Sequence, residues 1–182
     1  MSKGFTLLEL IIVIGILAVL AAVSVLVLNP AQLFAQARDS QRVSDLSSVQ
    51  SAVGLYLSTA TSPTVGATSY CTSGTTSGFS TPTCTTRNTY GVDGTGWVGI
   101  DLTGTQGGSS LAALPRDPSN DADYYYSYMG DNTNKTFELN GRLESTKFRD
   151  KMTTDGGNQN TCATYKEAIC FYEIGTDPGL NL

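Results

Sequence analysis

The run from Phe5 to Leu28 constrains this chain more than any other feature. It is almost wholly apolar and carries a single charge, Glu9, near its start. As a helix rising about 1.5 Å per residue, it reaches about 36 Å, enough to cross a bilayer with some tilt. A four-residue leader, Met1-Ser2-Lys3-Gly4, precedes it, with Lys3 as its only charge. An ordinary secretory signal has a positive start, a shorter apolar stretch and a small-residue cleavage site. This run is too long for that, and Ala21-Ala22-Val23-Ser24 imitates such a site only weakly. A plain membrane anchor accounts for length and composition but leaves Glu9 unexplained. A carboxylate deep in a spanning helix costs about 3 kcal/mol on insertion scales and calls for a partner, or for a place near the headgroups.

Asn29-Pro30 interrupts the run. Proline is best tolerated at the first position of a helix, with Asn a good cap before it, so Pro30 either kinks one long helix or begins a second. Beyond it, Val43, Leu46, Val49, Val53 and Leu57 recur at steps of three and four, as expected of a helix with one buried stripe. Arg38, Asp39, Gln41, Arg42, Asp45 and Gln50 read as the polar positions between them. Leu33 and Phe34 leave the stripe and are expected to face neighbouring helices. The organisation is a leader (1–4), a helix of membrane-spanning length (5–28), an amphipathic helix (29–57) and a head (58–182).

The chain of 182 residues carries a net charge of −5. That acidity argues against a general affinity for nucleic acid. Arg142, Lys147, Arg149 and Lys151 are interspersed with Glu144 and Asp150 and read as a solvated face. The cysteines form two close pairs, Cys71/Cys84 and Cys162/Cys170. Local pairing is the simplest arrangement for an exported head, with other connectivities open. A zinc site is disfavoured, since the spacings lack a CxxC and the chain has no His.

Residues 58–110 are rich in Thr, Ser and Gly, a loop composition with room for short strands at Thr89–Val92 and Gly96–Leu102. Leu111–Leu114 suits one helical turn stopped by Pro115. Strands are expected at Tyr124–Met129, Thr136–Leu139 and Ala168–Ile174. Asn140-Gly141 fits either a hairpin turn or a bulge in a strand running on through Glu144. The whole reads as α+β: a long helix followed by a mostly antiparallel sheet.

Some local patterns point elsewhere. Gly94-Thr-Gly96-Trp-Val-Gly99 fits the dinucleotide pattern formally, but that motif needs a strand before it and a helix after it. Trp97 is expected to pack in the head. Asp117, Asn120, Asp121 and Asp123 concentrate oxygen ligands and are candidate calcium ligands, although their spacing is not that of an EF-hand. Alternation buries Tyr124, Tyr126 and Tyr128, or else Tyr125, leaving the other set for sugars or partners. Without His, the usual Ser-His-Asp and Cys-His constellations are impossible, and no enzyme is expected.

Gly4-Phe5-Thr6-Leu7-Leu8-Glu9, followed by the aliphatic run, resembles the class III signal of type IV prepilins and type II secretion pseudopilins. The resemblance implies a membrane-embedded prepilin peptidase that cuts after Gly4 and N-methylates Phe5. It implies that Glu9 pairs with the new amine of Phe5 on a neighbour during assembly. It also implies an N-terminal helix half in membrane or filament core and half packed on a sheet. Leu114-Pro115-Arg116-Asp117-Pro118 before the tyrosines resembles a turn common in those families, whereas their calcium loop cannot be mapped here residue by residue. The partners implied are other copies of the chain in a helical homopolymer, the peptidase, an inner-membrane assembly platform and the membrane itself. The precursor is then expected in the inner membrane and the product in an extracellular pilus serving adhesion, motility or DNA uptake. The alternatives are a periplasmic pseudopilus driving secretion, or a single-span protein whose head binds a ligand and never polymerises.

Overall fold

The computed structural model describes residues 4–74, 76–80, 83–162 and 170–182. Leader residues 1–3, and residues 168–169 of the expected last strand, lie outside the described residues. The chain divides into two compact units, Met1–Ala35 and Gln36–Leu182.

The first unit holds helix α1, Leu7–Leu28. Its start is set by Thr6, an N-cap in extended conformation, and its end by Asn29 in the left-handed region (φ 40°). Asn tolerates that conformation better than most residues, and here it breaks the helical hydrogen-bond ladder. The Asn29 carbonyl instead accepts from Gln32 N at 3.0 Å and Leu33 N at 3.3 Å. Pro30 therefore begins a second helix, α2, Pro30–Thr59. Every described side chain of α1 is exposed, and α1 is long and apolar enough to cross a membrane.

The second unit is α+β. Five strands, β1 (Tyr70–Cys71), β2 (Thr85–Thr86), β3 (Tyr126–Asp131), β4 (Thr136–Gly141) and β5 (Tyr172–Gly175), form one sheet in the order β2-β1-β3-β4-β5. The β1–β2 pair is parallel and the other three are antiparallel. A short helix, α3 (Lys151–Thr154), precedes β5. Leu46, Val49, Ala52, Val53 and Tyr56 of α2 form the main core with Tyr126, Tyr128, Phe137 and Leu139 of the sheet, together with Trp97 and Leu114. Val43 belongs instead to a smaller cluster around Leu143 and Met152.

Several expectations are corrected. Thr89–Val92 and Gly96–Leu102 are not strands. Gly94 (φ 85°) and Gly99 (φ 66°) turn the chain there, and scattered bonds such as Leu102 N to Val92 O hold the loop. Leu111–Leu114 forms no helical turn; Leu114 N donates to Tyr90 O at 2.8 Å instead. Asn140-Gly141 makes neither a hairpin turn nor a bulge. Both residues are paired with β3 on one side and β5 on the other, and the strand stops there because Glu144 N turns to the carboxylate of Asp39. The β3–β4 turn falls at Asn132–Lys135, where Asp131 Oδ1 accepts from Thr133 N and Asn134 N and Lys135 is left-handed. All four tyrosines are buried, at 0–6% exposure. The second face of the sheet is covered too, with Tyr125 packed edge-on against Phe171 and beside Cys71. No tyrosine set is left as a binding surface.

Candidate functional site

The N-terminal site is built on the first turn of α1. Gly4, Phe5 and Thr6 precede the helix in irregular conformation, Phe5 is 81% exposed, and no atom crowds Gly4. The Gly4–Phe5 peptide bond thus lies in exposed, non-helical chain. Thr6 and Glu9 form a reciprocal capping box. Glu9 N donates to Thr6 Oγ1 at 3.2 Å, while Thr6 N and Thr6 Oγ1 donate to Glu9 Oε2 at 2.9 and 2.8 Å. This satisfies two donors at the helix start and places the carboxylate at the positive end of the helix dipole. Glu9 thus has a partner within its own chain. The pattern Thr6-x-x-Glu9 was legible as a capping box from sequence, and Thr6 is the residue that the family motif alone obscures.

The head contains a second concentration of charge, which the stripe on α2 did not reveal. Arg42 is fully buried and uses all five of its N–H donors. Nε and Nη2 grip Asp117 in a bidentate pair at 2.7 and 3.1 Å. Nη1 reaches Asp39 at 2.9 Å and Glu144 at 2.7 Å, and Nη2 also reaches Ser119 Oγ at 3.1 Å. Asp39 in turn accepts from the backbone N–H groups of Glu144 and Ser145. Arg38 adds a bidentate grip on Glu144 from a more exposed position. Burial pulls against the Arg42 charge, yet the three carboxylates outweigh it and hold its pKa above the ordinary arginine range. Burial likewise pushes Glu144 up, but the bonds from Arg38 and Arg42 prevail and hold it below the usual carboxylate value. The signal was present in the sequence: Asp39, Arg42, Leu46, Val49 and Val53 step by three and four, so the two charges continue the buried stripe.

This network bears on the calcium candidates. Asp117 is 2% exposed and committed to Arg42, and it also accepts from Ser119 N and Asn120 N. Asp121 Oδ1 accepts from Asp123 N and Tyr124 N. Asn120 is left-handed (φ 47°), and the backbone carbonyl of Asp123 accepts from Arg142. Among the described residues, no group of three or more carboxylate or cysteine side chains is gathered as metal ligands. Arg142 is buried, donating to the Cys170 and Asp123 carbonyls over the Phe171 ring, so it is no part of a solvated basic face.

The cysteines are joined locally, Cys71 to Cys84 and Cys162 to Cys170, with Cα–Cα separations of 5.8 and 5.0 Å. Replacing Cys71 and Cys84 together by Ser is expected to lower head stability by about 2–3 kcal/mol through release of unfolded-chain entropy. Chemical denaturation of the variant under oxidising conditions checks this; an unchanged midpoint would show that the bridge contributes nothing. Trp97 is fully buried, its indole N–H donating to Pro115 O at 3.0 Å and its ring 5.7 Å from Tyr126. The glycine pattern around it leads into a single 3-10 turn, Leu102–Gly104, rather than a phosphate-binding helix.

No curated protein and no solved structure matches the chain. Residues 1–25 match the family described as the prokaryotic N-terminal methylation motif. With an accessible Gly4–Phe5 bond, a capped Glu9 and an exposed apolar helix behind them, this segment is the class III signal that is the hallmark of type IV pilins and pseudopilins.

Proposed function

We propose that the chain is the structural subunit of a type IV pilus-like extracellular filament, not an enzyme. The precursor waits in the inner membrane through residues 5–28. Prepilin peptidase removes residues 1–4 and methylates Phe5, and an assembly platform draws the product into a helical homopolymer. The observation that carries this reading is the methylation motif over residues 1–25, which takes in most of α1, a helix whose described side chains are all exposed. In the membrane such a helix gains only packing from contact with another helix. In a filament surrounded by water each buried Leu, Ile or Val contributes about 1.5–3 kcal/mol. The bridged cysteines suit a head exported to an oxidising compartment.

Mass spectrometry of the protein isolated from its own cells tests the reading. The expected mass lacks residues 1–4 and carries one methyl group on Phe5; a chain still beginning at Met1 would overturn it. Electron microscopy of wild-type and deletion cells then separates the tasks. Surface filaments present only in wild type support a pilus. A deletion that abolishes protein export and leaves the cell surface unchanged identifies a secretion pseudopilus instead.

A further inference from the structure

The face of the sheet turned away from α2 carries a row of polar side chains where apolar ones are expected. Ser127 on β3 lies opposite Asn140 on β4, and Asn140 lies opposite Glu173 on β5. Glu138 stands two residues from Asn140 on the same face, diagonal to Glu173, a spacing that long side chains bridge. All four residues are 0% exposed. Each glutamate has one satisfied oxygen: Glu138 Oε2 accepts from Leu182 N at 3.1 Å, and Glu173 Oε2 from Gln159 N at 2.8 Å. The other oxygen of each, Oε1, is buried without a hydrogen-bond donor, as are Ser127 Oγ and both side-chain polar atoms of Asn140. The register sets the two carboxyl groups diagonally on one buried face, with Asn140 between their strands' pairing.

Two carboxylates cannot both stay ionised in contact and out of water. The charges acting on them make matters worse. Asp155, which accepts from Glu173 N, and Asp177, which accepts from Thr136 Oγ1, are both acidic. Arg142, at the end of β4, is directed to the Cys170 and Asp123 carbonyls. Among the described residues, the main chain of Leu182 donates to Glu138 and accepts from Ser80 N. We propose that Glu138 and Glu173 share one proton at neutral pH, and that this carboxyl–carboxylate clasp fastens β5 and the C-terminal residues to β4.

A proton suits the site better than a metal ion. Calcium takes six to eight oxygens, whereas among the described residues of this face the unpartnered oxygens are those of Glu138, Glu173, Asn140 and Ser127. One O–H···O⁻ bond satisfies both Oε1 atoms at once. Burial, and then the neighbouring acids, push both groups above the ordinary carboxylate range. The sign follows from linkage. The folded head holds a proton that the unfolded chain releases above about pH 4.3. Stability therefore falls as pH rises from that value through the raised folded values, and the folding equilibrium constant drops by about tenfold per pH unit for one retained proton.

The test uses the full chain in detergent micelles. Head unfolding is followed from about pH 5 to pH 8 in wild type, Glu138→Gln and Glu173→Gln, and the infrared band of a protonated carboxyl group is recorded at neutral pH. Gln keeps the size of Glu and donates to the remaining carboxylate, but cannot ionise. Wild type is expected to show the protonated band and to lose stability as pH rises. Either variant is expected to lose the band, flatten the slope and exceed wild type at the upper end of the range. Absence of the band in wild type overturns the proposal, and that measurement needs no variant. So does a wild-type melting temperature that rises with calcium chloride and no longer does so in Glu138→Gln, since a cation then holds the two charges.

Discussion

Replacing Glu9 by Ala is expected to leave the protein in the membrane and to remove nearly all filaments. Insertion becomes easier without the charge, because the apolar run from Leu7 to Leu28 is otherwise unchanged. Assembly loses its electrostatic contact. Before processing, the carboxylate is held by Thr6 N and Thr6 Oγ1 of its own first turn. On the proposed processing, cleavage after Gly4 would create a positive amine on Phe5. A neighbouring Glu9 brought to about 4 Å from it gains about 4 kcal/mol at an effective dielectric of 20, against about 1 kcal/mol in water. At one decade of affinity per about 1.4 kcal/mol, losing that pair weakens subunit association by two to three orders of magnitude. An unpaired amine in the filament core adds to the loss. Membrane fractionation measures insertion, and immunoblotting of sheared filaments with electron microscopy measures assembly. Filaments of normal number from Glu9→Ala would sink the pairing.

Replacing Arg42 by Met is expected to destabilise the head by about 3–5 kcal/mol, enough to unfold many small domains. Asp117 and Asp39 are both fully buried, and Glu144 is nearly so. Removing the cation leaves them in low dielectric without their partner, and the residues around Pro118 lose their tie to α2. Arg38→Ala provides the contrast. That side chain is 39% exposed, so the loss should stay within about 1 kcal/mol. Denaturant titration of the two variants separates the cases; equal effects would mean that the buried hub contributes no more than a surface pair. The hub also sets the acid limb of stability. Glu144 is held below its ordinary value, so its contribution is complete above about pH 4.3 and is lost as pH falls through the lowered value. The Glu138–Glu173 pair acts with the opposite sign as pH rises. Together they place the maximum of head stability in mildly acidic solution.

The processing signal, the membrane-length helix and the break at Asn29-Pro30 were legible because each depends on consecutive residues. Hydropathy and proline chemistry act over a few positions, so a linear reading recovers them. The α+β class and the presence of two strands at β3 and β4 followed from alternation for the same reason, whereas turn chemistry pointed to Asn140-Gly141 rather than to the turn at Asn132–Lys135. What the chain does with its polar side chains was settled elsewhere. Asp39 and Arg42 read as polar positions on α2, and the partners that hold Arg42 in the interior, Asp117 and Glu144, lie 75 and 102 residues further along from it. Alternation allowed one tyrosine set or the other to be buried, but Phe171 and Cys71 cover Tyr125 as well, so both sets are inside. Glu138 and Glu173 are fully buried, and Leu182 N, far along the chain from Glu138, donates to its carboxylate. Local periodicity says which side of a strand or helix a residue occupies. Whether that side meets water depends on segments distant in the chain, and a buried charge survives there only when the fold delivers its partner.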